Sequence, residues 1–228
     1  MGFQIKQTQL KNDDSKKADI MFCIDNSGSM EECIQGVRDT VNEFVNALES
    51  GVDGQSEVDW RIGLISYSDD KFVFQDLSKD TSRFRNLLKR RVEGDEFTPG
   101  AIDYTITHAS WRPGAQHIIV VFTDEKLEEG RSRRNRDNGA AGFGELLHKI
   151  TSSHVQIIYY GPQCEHYRRF QMCPKSEVNF MDSFAGVDFT RLMMRMALTV
   201  SSGNSFDNDV AVVKNMVYDL SDIDIDWN

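Results

Sequence analysis

Asp25, Ser27 and Ser29 put one carboxylate and two hydroxyls at alternate positions of the stretch Asp25-Asn26-Ser27-Gly28-Ser29. Oxygens spaced this way in a turn can converge on one point. An all-oxygen donor set suits a hard cation such as Mg²⁺ better than a soft, thiolate-seeking metal. The same residues could instead cap a helix, because Asp and Ser side chains accept hydrogen bonds from the free amides of a first turn. Both readings need a strand-to-helix turn, and the flanking sequence supplies one. Residues 18–24 (ADIMFCI) form a short apolar run bounded by charge, the pattern of a buried strand. Beyond the loop, Met30, Cys33, Ile34, Val37, Val41, Phe44, Val45 and Leu48 recur at helical spacing. Ser29 and Glu32 have capping-box spacing, and Glu31 and Glu32 suit the positive helix end. A helix is therefore expected over 30–49, with Gly51 just past its end.

The rest of the chain alternates in the same way. Residues 58–68 and 71–77 are apolar-rich and separated by Ser68-Asp69-Asp70, which predicts a hairpin. A short basic helix is expected at 81–91. Thr98-Pro99 opens another, with Pro at its favoured first position, ending by Trp111. Residues 117–124 make a second fully apolar strand that ends in Asp124. A long polar loop follows, then a helix over 140–152, a strand over 155–161, an irregular segment over 164–173 and a short strand over 178–181. A last helix over 189–200 would turn Leu192, Met193, Met196, Ala197 and Val200 inward. This alternation predicts an α/β fold, Rossmann-like and doubly wound. Its mostly parallel central sheet of about six strands has one antiparallel edge strand and helices on both faces. In such sheets functional loops lie beyond the carboxyl ends of the strands, where strand order reverses. If the two most apolar strands, 18–25 and 117–124, flank that point, then Asp25, Ser27, Ser29 and Asp124 meet in one crevice.

With these elements placed, the sequence resembles a von Willebrand factor type A (VWA) domain, the integrin I-domain fold. The metal-ion-dependent adhesion site (MIDAS) of that family combines Asp-x-Ser-x-Ser with a Thr from a second loop and an Asp from a third. Asp25-Asn26-Ser27-Gly28-Ser29 matches the first element, Thr98 in Glu96-Phe97-Thr98-Pro99-Gly100 the second, and Asp124 in Val121-Phe122-Thr123-Asp124 the third. The likeness covers about residues 18–203. One departure is Glu125, where the family frequently has Gly; it adds a carboxylate near the site. The resemblance implies that Ser27 and Ser29 donate hydroxyl oxygens to Mg²⁺, with Thr98 bound directly or through water. Asp25 and Asp124 would hold the ion's waters and supply charge, and Mn²⁺ or Ca²⁺ could substitute. It also implies one coordination position for an outside Asp or Glu, hence a metal-dependent protein-binding module rather than an enzyme. Stand-alone intracellular relatives work beside ATPases, kinases, proteases or chelatases. The expectation is therefore a cytoplasmic adaptor or assembly subunit of such a machine. Some relatives also couple the site to movement of the last helix, here 189–202.

Composition narrows the classes further. The 228-residue chain is 39% hydrophobic and 27% charged, as expected of one globular domain with additional elements. We divide it into a polar arm (1–17), the VWA-like domain (18–203) and an acidic tail (204–228). No stretch approaches the roughly 20 apolar residues of a membrane span. The first residues lack an apolar signal core and the four cysteines are few, which points inside the cell. The net charge of −10 argues against general nucleic-acid binding.

Four arginines, Arg131, Arg133, Arg134 and Arg136, follow the Asp124 strand. They read either as a solvated loop or, with Glu125, as contacts for a partner. In the tail, Asp222, Asp224 and Asp226 would share one face of a strand, opposite Ile223, Ile225 and Trp227. That pattern fits a solvated tail, an extra packed element, or a tethered acidic ligand for a metal site. Cys164, His166 and Cys173 could supply three zinc ligands but lack a fourth, and are more simply packing residues. A serine-dependent hydrolase is a further reading, with His166 as base. The residues around Ser27 are not G-x-S-x-G, however, and the chain carries no phosphate-binding G-x-x-x-x-G-K-[ST] loop. A scaffold that does not use its metal site in assembly is the remaining reading.

Overall fold

The computed structural model describes residues 17–32, 34–50, 58–68, 71–88, 98–127 and 140–181. Cys33, Gly51, Arg131, Arg133, Arg134 and Arg136 lie outside the described residues, as do residues 1–16, the expected last helix and the tail with Asp222, Asp224 and Asp226. The strands are β1 (Lys17–Asp25), β2 (Asp59–Ser68), β3 (Lys71–Ser78), β4 (Gln116–Phe122), β5 (Val155–Gly161) and β6 (Glu177–Phe180). The helices are α1 (Ile34–Ser50), α2 (Thr81–Leu88), α3 (Thr98–His108), α4 (Ala140–Ser152) and α5 (Glu165–Arg168).

The six strands form one sheet in the order β3-β2-β1-β4-β5-β6. All neighbours are parallel except β2 and β3, the hairpin at one edge. From β1 the chain moves to one side for β2 and β3, then crosses to the other for β4, β5 and β6. The order therefore reverses between β1 and β4, whose register pairs Ile24 with Phe122 and leaves Asp25 and Asp124 just beyond.

Side-chain alternation along β1 builds two cores. Ile20, Phe22 and Ile24 pack with Val37, Val41 and Phe44 of α1 and Phe84 of α2. Met21 and Cys23 face the other way, toward Ile102 and Ile106 of α3 and Phe143 and Ile150 of α4. Asp19 and Asp25 are odd-numbered and share that second face at opposite ends of the strand.

Two local features differ from the sequence expectation. Residues 164–173, expected to be irregular, form α5 followed by a 3₁₀ turn over Arg169–Met172. Tyr167 and Phe170, three residues apart, anchor it by packing against Phe143 and Tyr159. A helix of one turn is too short to show a repeat in sequence. The helix expected from residue 30 instead starts with a 3₁₀ turn over Ser29–Glu32, and α1 begins at Ile34. The Ser29 hydroxyl is used in a long-range bond described below.

At the amino end of the sheet, Asp19 is fully buried. Its carboxylate accepts from Arg61 Nε and Nη2 at 3.0 and 2.8 Å, and from Arg112 N and Nε at 2.7 and 2.9 Å. Burial pushes its pKa up, but the two guanidiniums and the Arg112 amide outweigh this and leave it below the usual carboxylate range.

Candidate metal centre

The carboxyl ends of β1 and β4 carry the predicted cluster, and the structure brings all five residues into one hydrogen-bonded set. At the end of β1, Asp25 Oδ1 accepts from the Ser27 amide at 2.9 Å, which tightens the turn. Asn26 donates its amide to the Tyr67 carbonyl at 2.9 Å and its side chain to Ser66 Oγ at 3.2 Å, tying the loop to β2. The Ser27 and Ser29 hydroxyls lie 3.0 Å apart, and Ser29 Oγ donates to Asp124 Oδ1 at 3.0 Å. The second line starts at Tyr67 Oη, 2.7 Å from Thr98 Oγ1. Thr98 Oγ1 donates to Thr123 Oγ1 at 3.1 Å, and Thr123 Oγ1 donates to Asp25 Oδ2 at 2.7 Å.

A hydroxyl has one proton and two acceptor positions, so these contacts fix their own direction. The Ser29 proton is committed to Asp124, so the proton between the serines is that of Ser27. The Thr98 proton is committed to Thr123, so the tyrosine donates to Thr98. Both lines, Ser27 to Ser29 to Asp124 and Tyr67 to Thr98 to Thr123 to Asp25, run their protons toward a carboxylate. Thr123 also accepts the Glu125 amide at 3.0 Å, which commits its proton and both lone pairs. Ser27 and Thr98 keep hydroxyl lone pairs uncommitted among the described residues. Oxygens whose protons are turned away are what a hard cation needs.

The electrostatics agree. Asp25 is buried, its hydrogen-bond partners are neutral, and neither it nor Asp124 is ion-paired among the described residues. Burial raises the Asp25 pKa to about 7, helped by the charge of Asp124, while the Ser27 amide and Thr123 hydroxyl pull the other way. Keeping such a group ionised without a countercharge costs several kcal/mol. A divalent cation beside it would remove that cost, so the residues present fit a metal. Among the described residues no three His, Cys, Asp or Glu side chains cluster as a metal site. Here two carboxylates are combined with hydroxyls instead.

Other sequence expectations resolve differently. Glu125, expected to face a partner, is only 3% exposed. It is turned inward because its Oε2 accepts from the Thr98 amide and the Tyr167 hydroxyl, both at 3.1 Å. His166 packs edge-on against Phe143 and makes no hydrogen bond to Ser27, so the pair expected of a serine hydrolase is not formed. Cys164 Sγ lies 3.6 Å from the Leu127 carbonyl and Cys173 Sγ 3.8 Å from the Thr151 hydroxyl; both are free thiols.

Tyr67, Thr123 and Tyr167 were not singled out from the sequence. Thr123 carried a usable signal, a hydroxyl directly before the strand-end Asp124. Tyr67 and Tyr167 carried none, because each reads as one more apolar residue until the fold points its hydroxyl at the site. Gly161, at the end of β5, also gained its meaning from the fold. A Cβ there would lie 2.5 Å from the Thr123 carbonyl and collide with the Tyr159 hydroxyl.

Comparison with known proteins bears on the same region. Residues 19–186 match the family model of the von Willebrand factor type A domain. Matrilin-1 of Bos taurus is 26% identical over 168 residues, which cover 67% of this chain and 30% of matrilin-1. The pilus adhesin SpaC from Lactobacillus rhamnosus GG superposes with a TM-score of 0.59 at 15% identity, over 82% of this chain and 31% of SpaC. Proximal thread matrix protein 1 from the mussel byssus, in a structure with a zinc-occupied MIDAS motif, gives a TM-score of 0.59 at 14% identity. That match covers 82% of this chain and 46% of the mussel protein. The chain thus spans about a third of the length of matrilin-1 and SpaC. Type A domains are generally non-catalytic protein-binding modules whose MIDAS sites commonly hold divalent metals. The six-stranded sheet and the match over residues 19–186 together establish that this chain belongs to the von Willebrand factor type A domain family.

Proposed function

We propose that this chain is a Mg²⁺-dependent protein-binding module that captures an Asp or Glu side chain of a partner protein. The observation that carries this is the direction of the two hydroxyl lines, which spend their protons on Asp25 and Asp124 and leave oxygen lone pairs for a cation. Ser27, Ser29 and Thr98 would hold Mg²⁺ through their hydroxyls, with Asp25 and Asp124 supplying charge; Mn²⁺ or Ca²⁺ could substitute. The ion would supply Lewis acidity toward an incoming carboxylate. The zinc-occupied MIDAS motif of the mussel protein supports a divalent cation at such a site. The chain's role is that of an adaptor or assembly subunit beside an ATPase, kinase or protease in the cytoplasm, a reading that rests on the few cysteines of the sequence and on the family resemblance.

The test is partner capture in Mg²⁺, in chelator, and with Asp25→Ala. Capture that requires Mg²⁺ and is lost in Asp25→Ala is expected; capture indifferent to metal would defeat the proposal. Turnover abolished by Ser27→Ala would favour a hydrolase instead. The acidic tail is proposed as a competing source of carboxylate through Asp222, Asp224 and Asp226. Removing residues 204–228 should then tighten Mg²⁺-dependent capture, and an unchanged affinity would dismiss that role.

A further inference from the structure

We infer that Glu125 is the positioning residue of the metal centre: it holds the backbone of Thr98, and so keeps the Thr98 hydroxyl where it would serve as a ligand. This rests on the metal reading above. Of the five metal-site residues, Thr98 comes from α3, an element separate from both β1 and β4, so its place must be set by contacts rather than by strand register. Three contacts set it, one being the bond from its own hydroxyl to Thr123 Oγ1 at 3.1 Å. Tyr67, from the end of β2, fixes the hydroxyl at 2.7 Å. Glu125, from the end of β4, accepts the Thr98 amide at 3.1 Å through Oε2. The same oxygen accepts the Tyr167 hydroxyl at 3.1 Å, and Tyr167 is fully buried against Tyr159 and Phe170. The Glu125 backbone is held as well, because its amide donates to Thr123 Oγ1, the hydroxyl that supports Asp25.

Glu125 thus joins three separate pieces of chain: the β4 end, the first residue of α3 and the α5 segment. Its burial leaves it no direct part in meeting a partner. Outer-shell groups of this kind orient the direct ligands, and their loss typically lowers metal affinity by roughly 10- to 100-fold.

Positioning can be separated from simple charge attraction by comparing Glu125→Gln, Glu125→Ala and Tyr167→Phe. Gln keeps a carbonyl oxygen for the Thr98 amide but removes the charge; Ala removes both. We expect Mg²⁺ affinity measured by calorimetry to fall roughly 10- to 100-fold in Glu125→Ala and only about 3-fold in Glu125→Gln. Tyr167→Phe, which leaves the carboxylate but loosens it, should fall between the two. Hydrogen exchange in chelator gives a second reading. The Thr98 amide should stay protected in Glu125→Gln and lose protection in Glu125→Ala, while the amides of β1 and β4 are unchanged. Equal loss of affinity in Gln and Ala would overturn positioning in favour of charge. Protection lost across the whole sheet in Ala would reassign Glu125 to folding. A parent chain that binds no Mg²⁺ would instead overturn the metal reading itself, and this inference with it.

Discussion

Asp19 and Asp25 are buried carboxylates six residues apart on one strand and one face, yet their surroundings are opposite. Asp19 is met by two guanidiniums and an amide, and its pKa lies below the usual range. Asp25 is met by an amide and a hydroxyl, and its pKa rises to about 7. Burial is the largest effect on both; what differs is the compensation. The amino end of the sheet is a closed ionic knot. Arg112 also reaches Asp59 Oδ2 at 2.6 Å and the Ala18 carbonyl at 3.2 Å. The carboxyl end collects negative charge, and among the described residues no cationic side chain meets Asp25 or Asp124. One end neutralises its buried carboxylate with its own side chains; at the other end, among the described residues, Asp25 meets only neutral groups.

The contrast can be broken from either side. Asp19→Ala removes the carboxylate that the Arg61 and Arg112 guanidiniums share, and breaking a buried pair in this way costs about 3–5 kcal/mol. Chemical denaturation should show that loss, while Mg²⁺ affinity stays at the parent value. A fall in metal affinity as large as the fall in stability would mean the two ends are not independent.

The carboxyl end should respond to metal instead. At Mg²⁺ near 100 times its Kd, binding to the folded state adds about 2.7 kcal/mol. For a domain of this size that is a rise in Tm of roughly 5–10 °C. Thermal melts with Mg²⁺ and with chelator would show it in the parent and in Asp19→Asn, but not in Asp25→Ala. A shift that survives in Asp25→Ala would place the ion elsewhere.

The smallest effect concerns pH. The lowered pKa of Asp19 means that its contribution to stability is complete above its unfolded value of about 3.9. It is lost as the pH falls through the native value. The stability gap between the parent and Asp19→Asn should therefore be constant above about pH 5 and shrink toward pH 2. A gap that instead widens on acidification would show that the guanidiniums do not hold this carboxylate ionised.

Much of this molecule was legible in the residues. The apolar runs of β1 and β4 announced a buried central pair, and the sheet order places them side by side. The Asp25-x-Ser27-x-Ser29 spacing and the strand-end Asp124 announced where oxygens would gather. What could not be read was how those oxygens are supported. Tyr67, Tyr159 and Tyr167 look alike in sequence, yet only Tyr67 and Tyr167 aim a hydroxyl at the site; Tyr159 donates to the Pro162 carbonyl. Glu125 reads as a surface acid beside a ligand, because nothing local predicts that a buried amide and phenol lie within its reach.

The division has a physical origin. Strand alternation, helix spacing and donor type are properties of neighbouring residues, so the sequence by itself determined the two-faced sheet, the loop at the end of β1 and the hard-oxygen character of the site. Hydrogen-bond direction depends on which groups meet across 25 to 98 positions of chain, as in the Thr98–Thr123 and Asp25–Thr123 bonds. Only the tertiary structure decided that the protons run toward the carboxylates, that Asp19 is neutralised and that Asp25 meets only neutral partners among the described residues.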